Sequence, residues 1–349
     1  MAYTDIDKPS DYFNTKLYSG TGNENTISGV GFQPNFTWLK SRSNGQPHMV
    51  SDSVRGATKQ LYTADNQAET SYSQYIKSFN SDGFVLGTDS GINQNSQTFV
   101  SWNWKAGTSF SNSAGANGAS IASTGSVSTT AGFSIGTYTG NATNNATVAH
   151  GLSSAPQMII VKQRGSGGDN WQVYWNDGTE RNGFLNLDNG FNTPAATQQW
   201  GSNVPTSSVF TLGSDTATNV AGNLVFYAFH SVQGYSKFGT YKGNGNANGV
   251  FFFTGFKVGF VMIKKTDGSE NWKIWDNKRP GFNDLNYQMN VNNNEAESNS
   301  ANNRLDLLSN GFKLRGSGDT FNSSGGNYIF MAFAEQPFVT STGIPATAR

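Results

Sequence analysis

The sequence predicts an all-β protein built from three tandem antiparallel β-sandwich domains of similar topology. Three observations carry this. Seven landmarks recur in the same order three times along the 349 residues. The apolar segments are short, β-branched or aromatic, and bounded by Gly, Asn and Ser, as at 157–162, 224–229 and 259–264. Turn pairs such as Asp82-Gly83, Asn189-Gly190, Asp267-Gly268 and Asn310-Gly311 stand at hairpin spacing, and no segment sustains a helical period.

The elements follow in chain order. Residues 1–10 read as an N-terminal arm, and the first unit as 11–107. Each unit opens with an aromatic, then Tyr-x-Gly: Phe13 with Tyr18-Ser-Gly20, Phe133 with Tyr138-Thr-Gly140, Phe238 with Tyr241-Lys-Gly243. An apolar strand ending in Lys comes next, closing at Lys40, Lys162 and Lys264. Asn170-Trp171…Trp175 and Asn271-Trp272…Trp275 occupy the following place in units two and three, where unit one has His48-Met-Val50. Asp–Arg–Gly clusters then recur at Asp52…Arg55-Gly56, Asp177…Arg181…Gly183 and Asp276…Arg279…Gly281. Strands that carry a Phe and end in Gly, at 83–87, 210–213 and 311–316, precede closing aromatic strands at 99–104, 226–229 and 330–333. Residues 108–130, rich in Ser, Gly, Ala and Thr, read as a flexible or extended linker. The second and third units run at 131–234 and 235–336 with no linker between them, so they should pack as a fixed pair with the first set apart. Residues 337–349 read as an extended C-terminal arm. A jelly-roll or lectin-like sandwich is preferred over an immunoglobulin-like one.

Composition limits the function. Lys+Arg 23 balance Asp+Glu 23, which removes the basic footprint of a nucleic-acid binder. With 25 Phe, 13 Tyr and 8 Trp the chain has ample area for a core despite only 13% charged residues, and disorder is excluded. Zero Cys excludes disulfides, thiolate metal sites and a Cys nucleophile. The first ten residues do not read as a signal peptide, and runs such as 250–253 fall far short of the ~20 apolar residues of a membrane-spanning helix. Membrane insertion is not expected.

The opening Asp7-Lys-Pro-Ser-Asp-Tyr-Phe-Asn-Thr-Lys-Leu-Tyr18, the Gly31-Phe-Gln-Pro34…Trp38-Leu-Lys40 strand, Asp52-Ser-Val-Arg-Gly56 and the Ala332-Phe-Ala-Glu-Gln-Pro-Phe338 ending carry a resemblance over essentially the whole chain. It resembles a family of repeated β-domain virion structural proteins, of fibre or decoration type, from marine tailed bacteriophages. The resemblance implies a place on the virion surface after synthesis in the host cytoplasm, with other virion proteins as partners and self-association into a homo-oligomer. Its functional alternatives are a lectin-like fibre that recognises host surface glycans and a glycan depolymerase.

No catalytic motif emerges, and no enzyme, metal or cofactor is expected. The three His stand at different landmarks and are not expected to converge. Trp171, Trp175, Trp272 and Trp275 could stack on sugar rings, but alternation puts Trp171, Val173 and Trp175 on one strand face, and Trp272 with Ile274 opposite Trp275. Such apolar faces read more simply as core. The Asp–Arg–Gly clusters, present three times, read as ion pairs that pin a loop. Phe338, Val339 and Ile344 make the C-terminal arm a candidate assembly contact.

Overall fold

The computed structural model describes residues 2–165, 167–193, 197–280 and 282–347. Its regular secondary structure is nearly all strand, and the fold class is an antiparallel β-sandwich architecture. Repeat 1 contains β1 (Phe13–Ser19), β2 (Asn25–Ile27), β3 (Phe36–Ser41), β4 (Met49–Asp52), β5 (Lys59–Tyr62), β6 (Thr70–Ser71), β7 (Ile76–Asn80), β8 (Gly83–Leu86), the one-turn helix α1 (Ser90–Asn93) and β9 (Thr98–Trp104). A hairpin of β10 (Thr108–Asn112) and β11 (Ser123–Ser128) follows. Repeat 2 contains β12 (Phe133–Thr139), β13 (Ala146–Ala149), β14 (Met158–Gln163), β15 (Gln172–Asn176), β16 (Glu180–Phe184), α2 (Thr197–Trp200), β17 (Val209–Leu212), α3 (Thr216–Asn219) and β18 (Asn223–Phe229). Repeat 3 contains β19 (Ser236–Lys242), β20 (Phe251–Phe253), β21 (Phe256–Lys265), β22 (Lys273–Asp276), β23 (Tyr287–Asn290), β24 (Ser298–Asn299), β25 (Leu305–Leu308), β26 (Gly311–Leu314), α4 (Asp319–Asn322) and β27 (Asn327–Pro337).

One strand order is used three times. The large sheets run β1-β9-β3-β4-β5-β6, β12-β18-β14-β15-β16 and β19-β27-β21-β22-β23-β24, so first and last strands are always neighbours. Smaller sheets, β2-β8-β7, β13-β17 and β20-β26-β25, complete the repeats. The pairs Phe36↔Trp104, Met158↔Phe229 and Phe260↔Phe333 set the three sheets in common register, and every equivalence below is counted from them.

Alternation divides each large sheet's side chains between two cores. One face packs within its own repeat, as in the cluster of Phe84, Leu86, Leu39 and Ile76 in repeat 1. The other faces of all three sheets meet in a single core that includes Phe36, Trp102, Trp104, Phe133, Tyr227, Phe229, Phe260 and Phe333. Repeat 1 is therefore not set apart from a fixed pair; it packs against both other repeats. The linker assignment for 108–130 also needs correction. β10 and β11 extend the repeat 2 sheet to the order β10-β11-β12-β18-β14-β15-β16. The segment resembles a linker because an edge strand facing glycines needs few large side chains; here they are Phe110, Ile121 and Val127.

The recurring Tyr-x-Gly has a structural cause. Tyr18, Tyr138 and Tyr241 donate their hydroxyls to the carbonyls of Ile92, Thr218 and Phe321 in α1, α3 and α4, at 2.8, 2.5 and 2.7 Å. The glycine two residues on passes under the end of that helix. A Cβ on Gly20, Gly140 or Gly243 would lie 2.1, 2.2 or 2.3 Å from the carbonyl oxygens of Gln94, Val220 and Ser323. Sequence reading missed the third member of this corner. Asn93, Asn219 and Asn322 are fully buried at the helix ends. Their amides donate to Gly87, Gly213 and Gly316, and their carbonyls accept from the backbone of Thr21, Asn141 and Asn244.

Gly140→Ala is therefore expected to destabilise the chain by about 3 kcal/mol or more, because the clash is with backbone that cannot swing aside. Chemical denaturation of the purified variant measures this.

Candidate functional site

The seams between repeats hold buried ammonium groups and buried ion pairs. Lys40, Lys162 and Lys264 occupy equivalent positions near the ends of β3, β14 and β21, and each is no more than 1% exposed. Each ammonium bonds backbone carbonyls of its own repeat and one from the next. Lys40 reaches Gln46 and, in repeat 3, Asn294; Lys162 reaches Gln163, Asp169 and, in repeat 1, Asn66; Lys264 reaches Glu270 and, in repeat 2, Asp188. The contacts run cyclically, so each repeat both gives and receives one. Burial lowers the pKa of all three lysines to about 8, against the pull of nearby carboxylates such as Glu295, Asp169 and Asp188.

A second cyclic layer uses the Asp–Arg clusters. Arg55 pairs with Asp52 at 2.5 Å and with Glu69 at 3.0 Å, and Arg164 of repeat 2 grips the same Glu69 at 2.9 Å. Arg279 repeats this with Asp276 at 2.7 Å and Glu297 at 3.1 Å, and Arg42 of repeat 1 grips Glu297 at 2.9 Å. Burial opposes the charge on Arg55, yet Asp52 and Glu69 outweigh it and raise its pKa. The aspartates also receive the neighbouring closing strand: Tyr227 donates to Asp52 at 2.7 Å and Trp102 to Asp276 at 3.0 Å. The clusters pin loops as expected, and in addition they join repeats.

The third seam breaks the pattern. Counting from the common register, Asp52 and Asp276 correspond to Trp175, Arg55 and Arg279 to Gly178, and Glu69 and Glu297 to Phe191. Arg164 and Arg42 correspond to Thr266, and Trp102 and Tyr227 to Met331. Trp175, Phe191 and Met331 are buried in the shared core. The backbone contact persists without the charges: Phe191 N–H donates to the Thr266 carbonyl at 2.7 Å, as Glu69 does to Arg164 and Glu297 to Arg42. Gly183, where repeat 1 has Leu61, makes the room, since a Cβ there would lie 2.3 Å from the Phe191 ring. The Asp177–Arg181 pair that sequence spacing equated with the others is a separate, partly exposed (i,i+4) contact at 2.5 Å.

The four tryptophans proposed for glycan binding are not a platform. Each is at most 1% exposed, with Trp171, Trp175 and Trp272 in the shared core and Trp275 inside repeat 3, so no sugar reaches them. Trp171 and Trp272 tie seams, donating Nε1 to the carbonyls of Tyr62 and Phe184 at 2.8 Å. His48 takes the same position in repeat 1. Its Nδ1 accepts from Trp38 at 2.9 Å, which leaves the proton on Nε2. That nitrogen is turned toward the Asn290 carbonyl without reaching good hydrogen-bond geometry. Burial, then the nearby Lys40 charge, pushes the His48 pKa well down. His150 accepts from Leu152 N–H and faces the Thr206 carbonyl; burial lowers its pKa to about 4. His230 lies within electrostatic reach of His150, which spacing along the chain did not suggest.

The arms lie along repeat 3 and its junction with repeat 2. Tyr3 donates to the Gly255 carbonyl and Thr4 to that of Gln233, while Ile6 enters the shared core. Phe338 is half-buried against Tyr3 and Phe253, with ring centroids 6.2 and 6.3 Å away. Val339, also half-buried, bridges Pro345, and Ser341 bonds Asp7 at 2.5 Å. Of the three candidate assembly residues, only Ile344 is largely exposed, at 64%.

A groove of about 550 Å³ opens between repeats 2 and 3. Gln157 and Asn176 line one wall, and Lys237, Thr240, Phe252 and Phe253 the other. Phe251 and Phe253 on β20 are 42% and 55% exposed. Sequence reading passed over this strand because it treated 250–253 only as an apolar run.

Residues 8–337 match the model of a family described as a domain of unknown function (DUF7483). The chain belongs to this family. The match spans all three repeats. No curated protein and no solved structure matches the chain.

Two outcomes are expected. Lys162→Met leaves buried carbonyls without a donor and should cost about 2–4 kcal/mol in a denaturation experiment. His48 and His150 have folded pKa values below the unfolded value of 6.5. The unfolded chain therefore binds more protons as pH falls from 6.5 toward 4, and stability declines across that window. Thermal midpoints measured from pH 7 to 4 should fall, and less steeply in a His150→Gln variant.

Proposed function

We propose that the chain is a structural component of a bacteriophage virion surface, acting through protein–protein contacts and not through turnover. One observation carries the reading: the buried ion-pair clusters are committed to fastening one repeat to the next. Asp52, Arg55, Glu69, Asp276, Arg279 and Glu297 are saturated by one another or by groups across a seam, which suits a rigid body and not an acid–base centre. The resemblance of the opening and closing motifs to repeated β-domain phage proteins supports the location. Exposed Phe251 and Phe253 supply apolar surface of the kind that protein contacts cover.

A second reading rests on the groove. Gln157, Asn176, Lys237 and Thr240 converge beside Phe253, a mixture of polar groups and an aromatic that also suits a host glycan. Two measurements separate the readings. Antibody raised against the chain should label intact particles, and a glycan array probed with the purified protein should stay blank. Reproducible glycan binding lost on Asn176→Ala favours the lectin reading. Release of reducing sugar from host envelope material, abolished by one Asp or Glu substitution, overturns both.

A further inference from the structure

Each repeat has the same sandwich edge, formed by the first strand of its large sheet and the first strand of its small sheet, and the chain shows that edge in three conditions. In repeat 2 the edge is occupied. β11 pairs with β12 from Ser123↔Tyr138 to Ser128↔Phe133, and Ile121 bridges Val148 on β13. The Phe110 ring from the same hairpin lies 3.2 Å from where a Cβ on Gly136 would stand, with the Phe226 ring beneath that glycine at 2.3 Å. In repeat 1 the position equivalent to Gly136 is Lys16. A lysine on an edge strand discourages pairing, and this one turns its ammonium to within 2.8 Å of a Cβ position on Gly29.

In repeat 3 the equivalent residue is again glycine, Gly239, again over a phenylalanine, Phe330, whose ring is 2.9 Å from the Cβ position. Beyond the bridge of Val232 to Ser236 at its start, no strand of the described residues pairs with the outer side of β19, and the groove lies there. Phe238 N–H donates away from β27, to Ser231 Oγ at 3.0 Å. By the alternation of an antiparallel ladder, Thr240 two residues on also points its N–H and C=O outward, where neither meets a partner among the described residues. Lys237 stands exposed at the lip with no carboxylate in ion-pair range among the described residues. Asp177 across the groove is already paired with Arg181, so it leaves the Lys237 ammonium without a carboxylate partner.

We propose that this edge of repeat 3 receives an extended strand from a partner protein, as the edge of repeat 2 receives β11. The added strand hydrogen-bonds β19 at Thr240, lays an aromatic side chain over Gly239 and Phe330, and sets an acidic side chain beside Lys237. The hairpin in repeat 2 is the precedent for the occupant: β11 supplies the main-chain pairing, and Phe110 of β10 reaches across Gly125 of β11 to the slot at Gly136, two features that the partner strand combines. The proposal rests on the protein-contact reading above and names the chemistry of the partner.

The test is selection of a display library of short linear peptides on the full-length chain. Enriched sequences should carry an aromatic residue with Asp or Glu nearby, and bound peptide should slow hydrogen exchange at the amides of Thr240 and Lys242. Thr240→Pro removes the outward donor at an edge position that tolerates proline. It should weaken the selected peptides at least about tenfold, some 1.4 kcal/mol, at unchanged thermal midpoint. If that variant does not fold, Lys237→Glu replaces it and should turn the selected preference from acidic to basic residues. Failure to enrich any peptide, equal binding to the variants, or protection of the same amides by host polysaccharide overturns the proposal. Particles that incorporate the chain although no peptide is enriched would overturn the strand alone, whereas enriched peptides with no particle labelling would overturn the virion reading alone.

Discussion

Lys40, Lys162 and Lys264 end fully buried strands, and an ammonium there must find oxygen. Each finds it as backbone carbonyls, and one of those carbonyls belongs to the next repeat. A side chain that needs oxygen from a neighbour makes the neighbour part of its own fold. Because the contact closes in a ring, no repeat can leave without stranding one ammonium and unpairing a carbonyl elsewhere. The shared aromatic core and the matched strand register are consistent with that constraint, and so is a single family model across residues 8–337.

The seams also show two ways to build one interface. Two of them bury a ladder of Asp, Arg, Glu and Arg around a Tyr or Trp donor. The third replaces the ladder with Trp175, Phe191 and Met331, and opens space for the larger ring with Gly183. Exchange of a buried charge network for packed apolar groups is energetically plausible when the whole network changes together. A partial exchange would leave an unpaired charge in the core. The chain carries both complete solutions and no mixture of them, with the backbone contact beneath held constant.

Surface and interior are thus divided sharply. The buried ion pairs lie at the seams, whereas the groove between repeats 2 and 3 shows plain groups: Phe253, the β19 edge and Lys237. Asymmetry between repeats marks the surface better than unusual residues do. The edges that carry Lys16, Gly136 and Gly239 share a backbone and differ in what covers it.

The sequence by itself determined the strand content, the three-fold repetition and the faces of Trp171, Trp175, Trp272 and Trp275, because a two-residue period and recurring turn residues are local signals. It also marked the Tyr-x-Gly corners and the strand-ending lysines, without their purpose. Only the tertiary structure decided how the repeats meet. A single apolar face cannot say whether it packs within its own repeat or against another, so repeat 1 was misplaced, and Trp171, read more simply as core, still stood as a candidate platform. The 108–130 hairpin escaped notice because an edge strand lying over glycines needs few apolar side chains of its own. The false match of Asp177–Arg181 to the buried pairs arose because spacing along the chain does not register side chains across strands. That register, and the seams it brings together, exists only once the sheets have paired.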